Sequence, residues 1–260
     1  MIDVRQASDA RIHNFLLGGS DHYEADRAAA RRLVDLTPNA GIIARISRQF
    51  LVRAVRYLAG ERRISQFFDH GCGLPTRDNV HEIARRVNKA ARVVYIDNDP
   101  VVLAHARMML AGEHTLILDS DMMDSAFVWS RSEEAGFLDG GAPAAVLFVS
   151  ALHCVSDDQA PLQRLRALVD RLPSGSCLVL SDLASDSAVL REEASVLMQE
   201  LTGHEWARVR SPAEMDRFFE GLEPVGGPIG DVACWRPGAG LKLRTTDRML
   251  MAYGGVARKP

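Results

Sequence analysis

Phe67-Phe68-Asp69-His70-Gly71-Cys72-Gly73-Leu74-Pro75-Thr76 decides how the chain is read. It reads as the end of a strand, a glycine turn, and a helix beginning near Thr76. Gly71 and Gly73 permit positive φ and let a ligand approach bare backbone. The N-terminus of the following helix offers unpaired N–H groups. A strand, glycine turn and helix in this order form a nucleotide-type cradle at the carboxyl edge of a parallel sheet. Thr76 stands where a third glycine would complete the dinucleotide fingerprint, which counts against a nicotinamide cofactor. On this stretch alone, a purely structural turn is the alternative.

The surrounding pattern supports an α/β sheet. Arg92-Val93-Val94-Tyr95-Ile96 reads as a second strand, followed by a helix over 100–110. Thr115-Leu116-Ile117-Leu118 is a third strand, Ala144 to Val149 a fourth, and Cys177-Leu178-Val179-Leu180 a fifth. Helical segments over 76–87 and 159–171 lie between them. Continuous apolar strands separated by helices imply a parallel, doubly wound sheet covered on both faces. Two more helical stretches follow residue 185. Strand-like pieces near Glu223-Pro224-Val225 and from Met249 to Tyr253 suit an antiparallel edge.

Residues before the first strand read as helices. One runs from Ala25 to Leu36 and breaks at Thr37-Pro38-Asn39. Further on, Ile42, Ile43, Ile46, Phe50, Ala54, Val55 and Leu58 recur at helical spacing on one face. Arg45, Arg48, Arg53 and Arg56 fall mainly on the other, which reads as a solvated face. The expected layout is a helical N-terminal cap over 1–62, packed on a single α/β domain over 63–260.

Composition narrows the function classes. The chain has 260 residues, 31 Lys+Arg against 34 Asp+Glu, and a formal net charge of −3. Such a balance makes nucleic acid an unlikely partner. No apolar run is long enough to span a membrane. Met1-Ile2-Asp3-Val4-Arg5 lacks the pattern of a signal peptide, so a cytoplasmic location is expected. Cys72, Cys154, Cys177 and Cys234 form no CxxC pair, so neither a structural zinc nor a disulfide framework is expected.

Three strand ends supply candidate ligands. Asp97, at the end of the second strand, follows Gly73 by about two dozen residues. That is near the ~20-residue offset at which a carboxylate grips ribose hydroxyls. Asp99 instead reads as a helix cap, since Pro100 suits the first helical position. Asp121 and Met122, after the third strand, would lie beside an adenine, through an acceptor and a soft apolar contact. His153, after the fourth strand, titrates near neutrality and is a candidate for orienting or deprotonating a substrate. Each also admits a blander reading: a polar loop, a cap, or a histidine satisfied by backbone. Cys154 would be a nucleophile only if activated, and nothing nearby in sequence does that.

Together with the turn at Asp69–Thr76, two further stretches carry a family resemblance. They are Arg11-Ile12-His13-Asn14-Phe15-Leu16-Leu17-Gly18-Gly19-Ser20-Asp21 and Val94-Tyr95-Ile96-Asp97-Asn98-Asp99-Pro100 with the helix after it. The ending Tyr253-Gly254-Gly255-Val256-Ala257-Arg258-Lys259-Pro260 agrees. The chain resembles, over nearly its whole length, the actinobacterial S-adenosylmethionine-dependent methyltransferase family once called DUF574. The resemblance implies a class I methyltransferase-like, seven-stranded sheet with the last strand antiparallel. It also implies N-terminal helices that close over the cofactor through the turn at Leu17, Gly18 and Gly19. In this reading Asp69, Gly71 and Gly73 approach the methionine part, Asp97 takes the ribose, and Asn98, Asp121 and Met122 flank the adenine; Thr76 is a further cofactor-binding candidate. Ser150 and His153 then sit near the transferable methyl group. His70, Cys72, His13-Asn14-Phe15, Cys154 and Ser181-Asp182 depart from the family pattern, which points to a specialised substrate pocket.

The implied activity is methyl transfer from S-adenosylmethionine to a small-molecule acceptor, leaving S-adenosylhomocysteine. His153, His13 and Tyr23 are the candidate bases, needed only for an acceptor that is protonated at neutral pH. Three rival readings remain at this level. One is a regulatory protein that binds the cofactor without turnover. Asp97-Asn98-Asp99 matches a metal-holding DxD of a glycosyltransferase. A nicotinamide-dependent oxidoreductase is disfavoured by Thr76. A hydrolase lacks its G-x-S-x-G elbow. Oligomeric state is not legible.

Overall fold

A computed structural model describes residues 3–237 and 250–260. Three helices come first: α1 (Asp9–Leu16), α2 (Glu24–Leu36) and α3 (Ala40–Gly60). Strands and helices then alternate as β1 (Gln66–His70), α4 (Val80–Val87), β2 (Arg92–Asp97), α5 (Pro100–Met109), β3 (Thr115–Asp119), α6 (Ser125–Glu134) and β4 (Ala145–Val149). After β4 come α7 (Pro161–Arg171), β5 (Cys177–Ala184), α8 (Ala188–Thr202), α9 (Pro212–Asp216), β6 (Glu223–Pro224), β7 (Gly230–Asp231) and β8 (Met251–Arg258).

The sheet runs β3-β2-β1-β4-β5-β8-β6, with the two-residue β7 paired beside β8. The first five strands are parallel, and β8 is antiparallel to β5. The reversal of strand order between β1 and β4 opens a crevice at their carboxyl ends, where ligands bind in such sheets. Alternate side chains feed two cores. Phe67, Val93, Leu147 and Val179 pack under α3 and α4. Phe68, Val94, Val146 and Leu178 pack on the opposite face with α6 and α7 residues such as Val128 and Leu165. That double burial is why the strands read as unbroken apolar runs.

Several boundaries differ from the sequence reading. The helix expected from Thr76 begins only at Val80. Asn79 and Glu82 form a capping box there, and Asp78 just before it has φ +61°. Asn79 outcompetes Thr76 as the cap because Glu82 stands at the position that completes the box. The glycine turn therefore runs into an irregular loop, and the expected helix N-terminus does not abut it. The last strand covers Met251–Arg258, further along than expected, and Met249 lies outside the described residues. Helix α6 has little sequence signal, since its Ser-rich stretch buries only Val128 and Ser132.

The arginines of α3 also divide. Arg45 and Arg56 are exposed, as a solvated face requires. Arg53 is half-buried and donates to the carbonyls of Trp235 and Val232. Arg48 is half-buried too, with Nη2 donating to the carbonyls of Arg77 at 3.0 Å and Asp78 at 2.6 Å. The solvated reading fails for these two because the chain folds back over that side of the helix.

One buried acid ties the first helices together. Asp26, fully buried on α2, accepts from the amides of Ser8 (3.0 Å) and Tyr23 (2.7 Å) and from Nε of Arg11 (2.9 Å). Ser8 in turn donates through Oγ to Asp99 at 2.7 Å, fixing α1 over the start of α5.

Candidate active site

The carboxyl ends of β1 to β4 open into one cavity of about 970 Å³. The sheet side contributes Asp69, Gly71, Gly73 and Thr76 after β1, and Asp97 and Asn98 after β2. Asp121 and Met122 reach it after β3, and Ser150 after β4. From above come His13 and Leu17 of the first helix and its cap, and Arg48 of α3. Among the sequence candidates, Gly18, Gly19, Tyr23 and His153 do not line this space.

Asp97 organises the turn. Its Oδ2 accepts the Gly73 amide at 2.9 Å, and its Oδ1 accepts the amides of Asn98 and Asp99, each at 3.0 Å. Burial pushes its pKa up, against the pull of these amides. Asp99 caps α5 by accepting from Val101 and Val102. Local hydrogen bonds on both acids of the DxD pattern thus shape the loop, while Asp97 Oδ2, which accepts one amide, keeps room for a further donor from the cavity.

Asp69 is buried at the end of β1, and burial raises its pKa to about 7; nearby Arg48 opposes that rise and Asp97 adds to it. Gly71 has φ +68°, and a Cβ there would lie 2.8 Å from the Cβ of Ala151. Gly73, at φ +64°, faces open space. The first glycine is therefore required by both packing and conformation, and the second by conformation alone. Ser150 adopts the left-handed region at φ +57°, a conformation that a residue other than glycine holds only when its surroundings enforce it.

The two departures inside the turn have physical explanations. His70 is wholly buried and stacks on Phe148 at 4.5 Å between centroids. Its Nδ1 lies 2.7 Å from the Met122 carbonyl, which only accepts, so Nδ1 carries the proton. Burial lowers its pKa to about 4, so it serves as a neutral, aliphatic-sized filler. Its one polar bond also fixes the loop that brings Met122 to the cavity. Cys72 lines the cavity with its thiol held well above the usual range by burial and by Asp97, so it is not a thiolate.

His13 and His153 sit in opposite electrostatic settings. Burial lowers the pKa of His13. His153 is buried between two acids: Nδ1 lies 2.7 Å from Asp182 and Nε2 lies 3.0 Å from Asp9. Burial disfavours its charge, but Asp182 and Asp9 outweigh that and hold its pKa well above normal. Trp206 packs 4.5 Å from the imidazole and donates from Nε1 to Asp9 at 2.6 Å. Ligand atoms of Asp9, His153 and Cys154 approach within 4.8 Å of one another. Burial raises the Cys154 thiol to about 12, so the group reads as an ion-paired clamp on α1. Gly19 packs on Asn14, where a Cβ would lie 2.4 Å from Oδ1, while Gly18 is exposed and Tyr23 is the N-cap of α2.

Strand order, an antiparallel penultimate strand, and a glycine turn facing an acid across β1 and β2 define a class I methyltransferase architecture. The chain belongs to the S-adenosyl methyltransferase family, whose profile matches residues 1–260. A DUF574 family protein from Streptomyces avermitilis is similar at 36% identity and TM-score 0.89, with all of both chains covered. A protein from Thermobifida fusca, provisionally assigned as a methyltransferase, is 35% identical with TM-score 0.86, covering 99% of this chain and 96% of its own. The plantazolicin methyltransferase BpumL, solved with S-adenosylhomocysteine, shares the fold alone, at 11% identity, TM-score 0.53 and 96% coverage of each chain. No curated protein matches the chain. The protein is an S-adenosylmethionine-dependent methyltransferase, with S-adenosylhomocysteine as the product. No helix among the described residues is long and apolar enough to cross a membrane.

Proposed function

We propose that the protein methylates a small-molecule acceptor held beneath α1, in the same cavity as the cofactor. The observation that carries this is the cavity's extent. At about 970 Å³ it lies at the top of the ~300–1,000 Å³ range of small-ligand sites, and it runs from the glycine turn to α1. The residues present fit the cofactor: a bare-backbone turn, an acid at the ribose position, and polar and thioether groups beside the adenine position. Asp97 and Asn98 would take the nucleoside sugar and its surroundings, Asp121 and Met122 the base, and Asp69, Gly71, Gly73 and Thr76 the amino-acid end. When bound, the cofactor supplies a methyl group on a positively charged sulfur, open to in-line displacement.

The chain's own work is mostly alignment and exclusion of water. Leu17 and the helix before it form the roof that we propose as a cap over the sheet domain, with Gly18 and Gly19 closing the turn that ends it. Ser150, left-handed at the end of β4, lines the cavity and would face the reacting region. For an acceptor carrying a proton, His13 is the base that fits: it lines the cavity and is neutral at neutral pH. His153 already carries its proton and acts as a positioning residue through Asp9. Tyr23 stands away from the cavity, with Arg11 stacked over its ring.

The test uses S-adenosylmethionine labelled on the methyl group, with a cell extract split into low-mass and macromolecular fractions. Label transferred to the low-mass fraction is the expected result. Label confined to protein or nucleic acid would overturn the small-molecule reading.

A further inference from the structure

A second cavity of about 40 Å³ lies beneath α1, beside the large one. The two share Asp9, His13, Ser47, Ser150 and Trp206 in their walls. The remaining wall of the small cavity is apolar apart from His153, with Leu33 of α2, Ile43 and Ala44 of α3 and Leu183 of β5 among its residues. A water needs two to four polar partners, which that wall does not offer, so the space suits a hydrocarbon group. A dry cavity of about 150 Å³ takes a benzene ring. At about 40 Å³ this one has room for a much shorter group, on the scale of a methyl.

The shared wall, in contrast, is polar and unsatisfied. Ser47 is only 3% exposed, yet its hydroxyl makes no hydrogen bond to any described residue. The imidazole of His13 and the hydroxyl of Ser150 are unbonded in the same way. Burial lowers the pKa of His13, which keeps it neutral. Asp9 is already engaged: its Oδ1 accepts from Trp206, and His153 balances its charge. Three neutral groups that can donate or accept therefore border a dry, dead-end space. A buried hydroxyl without a partner is costly, so a ligand atom that both donates and accepts is what this wall is built to meet.

We propose that the methyl acceptor is a neutral hydroxyl compound with a short apolar substituent beside the hydroxyl. Its oxygen bonds Ser47, Ser150 and His13, and the substituent fills the small cavity. A phenol-type hydroxyl suits His13, because a weakly basic imidazole takes the proton of an acidic hydroxyl more readily than that of an alcohol. On transfer the oxygen gains the methyl group, the electrons of the broken carbon–sulfur bond stay on the sulfur of S-adenosylhomocysteine, and the proton passes to His13. This deepens the small-molecule reading above and rests on it.

The test is ligand-observed NMR titration of the protein saturated with S-adenosylhomocysteine. The probes are phenol, 2-methylphenol, 2-tert-butylphenol and benzylamine. In wild type 2-methylphenol is expected to bind about fourfold more tightly than phenol, the worth of one buried methyl group. The bulkier 2-tert-butylphenol and the cationic benzylamine should bind no better than phenol. Ala44→Leu fills the small cavity and should erase the preference for 2-methylphenol, leaving phenol and S-adenosylhomocysteine binding unchanged. Ile43→Ala enlarges the cavity and should move the preference to 2-tert-butylphenol. Ser47→Ala should weaken both phenol and 2-methylphenol by about threefold to tenfold. Equal binding of phenol and 2-methylphenol in wild type, or a preference that survives Ala44→Leu, would overturn the seat. Benzylamine binding more tightly than phenol would overturn the neutral hydroxyl. Wild type failing to bind S-adenosylhomocysteine in the first place would refute the cofactor placement itself, and this assignment with it.

Discussion

Nε2 of His153 lies 3.0 Å from Asp9, so a histidine after the fourth strand is bonded to the first turn of the first helix. The same imidazole bonds Asp182 on β5 through its other nitrogen. One cation therefore links the roof of the cavity to the sheet beneath.

Removing the Asp9 end of that link should loosen the roof. Asp9→Asn is expected to lower stability by ~1.5–3 kcal/mol at neutral pH, the usual worth of a buried hydrogen bond to a charged group. The pH dependence follows from the two shifts. His153 has a raised pKa, so its contribution is complete below about 6.5 and fades as pH climbs through its higher folded value. Burial works against the Asp9 charge, but His153 prevails and lowers its pKa, so its contribution is present above about 3.8 and fades in stronger acid. Thermal melts of wild type and variant should therefore differ by a constant amount between about pH 5 and 6.5, and converge on either side. A gap unchanged at all pH values would contradict the ion-paired clamp.

Asp97→Ala should weaken S-adenosylhomocysteine by ~1.5–3 kcal/mol in calorimetry, through lost charged hydrogen bonds to ribose. Because Asp97 also holds the Gly73 amide, the variant should show faster hydrogen exchange at that amide before any ligand is added. Equal affinity in wild type and variant would remove Asp97 from the binding site.

The two glycines of the turn should respond differently to alanine. Gly71→Ala meets Ala151 at 2.8 Å and forces a left-handed conformation, so a stability loss of roughly 2–4 kcal/mol is expected in denaturant titration. Gly73→Ala meets nothing and should cost only about 1–2 kcal/mol of stability, from conformation. Its larger effect should be on cofactor affinity, since its methyl group enters the cavity. Equal behaviour of the two variants would contradict this division.

Cofactor affinity should also depend on pH through Asp69. Burial raises its pKa to about 7, so below that value it is neutral and offers an ammonium no charge. Binding of S-adenosylhomocysteine should strengthen as pH rises from about 6 to 7.5. It should weaken again as the ligand's amino group loses its proton near ~8. Asp69→Asn should abolish the acid limb alone, which calorimetry in buffers of differing ionisation enthalpy would reveal as lost proton release.

Much of the sheet was legible because strands buried on both faces leave uninterrupted apolar runs, as in Val93 to Ile96. The glycine turn and Asp97 could be read because backbone conformation and charge both constrain residue type there. Helix starts were less legible: Thr76 and Asn79 are both good caps, and only the partner at Glu82 decides between them. Arg48 could not be told from Arg45, since residues three apart share a helix face, and what covers Arg48 is the loop at Arg77 and Asp78, about thirty residues further along the chain. Pairings such as Asp9 with His153 join residues far apart in the chain, and no local pattern announces them. His70 looked anomalous in the turn, and only its stacking on Phe148 shows that a neutral ring replaces an aliphatic side chain.

Asp26 gives the roof its mechanical character. Since one sealed carboxylate grips the approach to α1, the arginine within it and the cap of α2, those pieces travel together as a plate. Traffic of ligands then calls for tilting that whole plate against the Asp9 latch, or for passage along its rim. Peeling back a single turn of helix would sever the grip and strand a guanidinium away from both water and counter-charge.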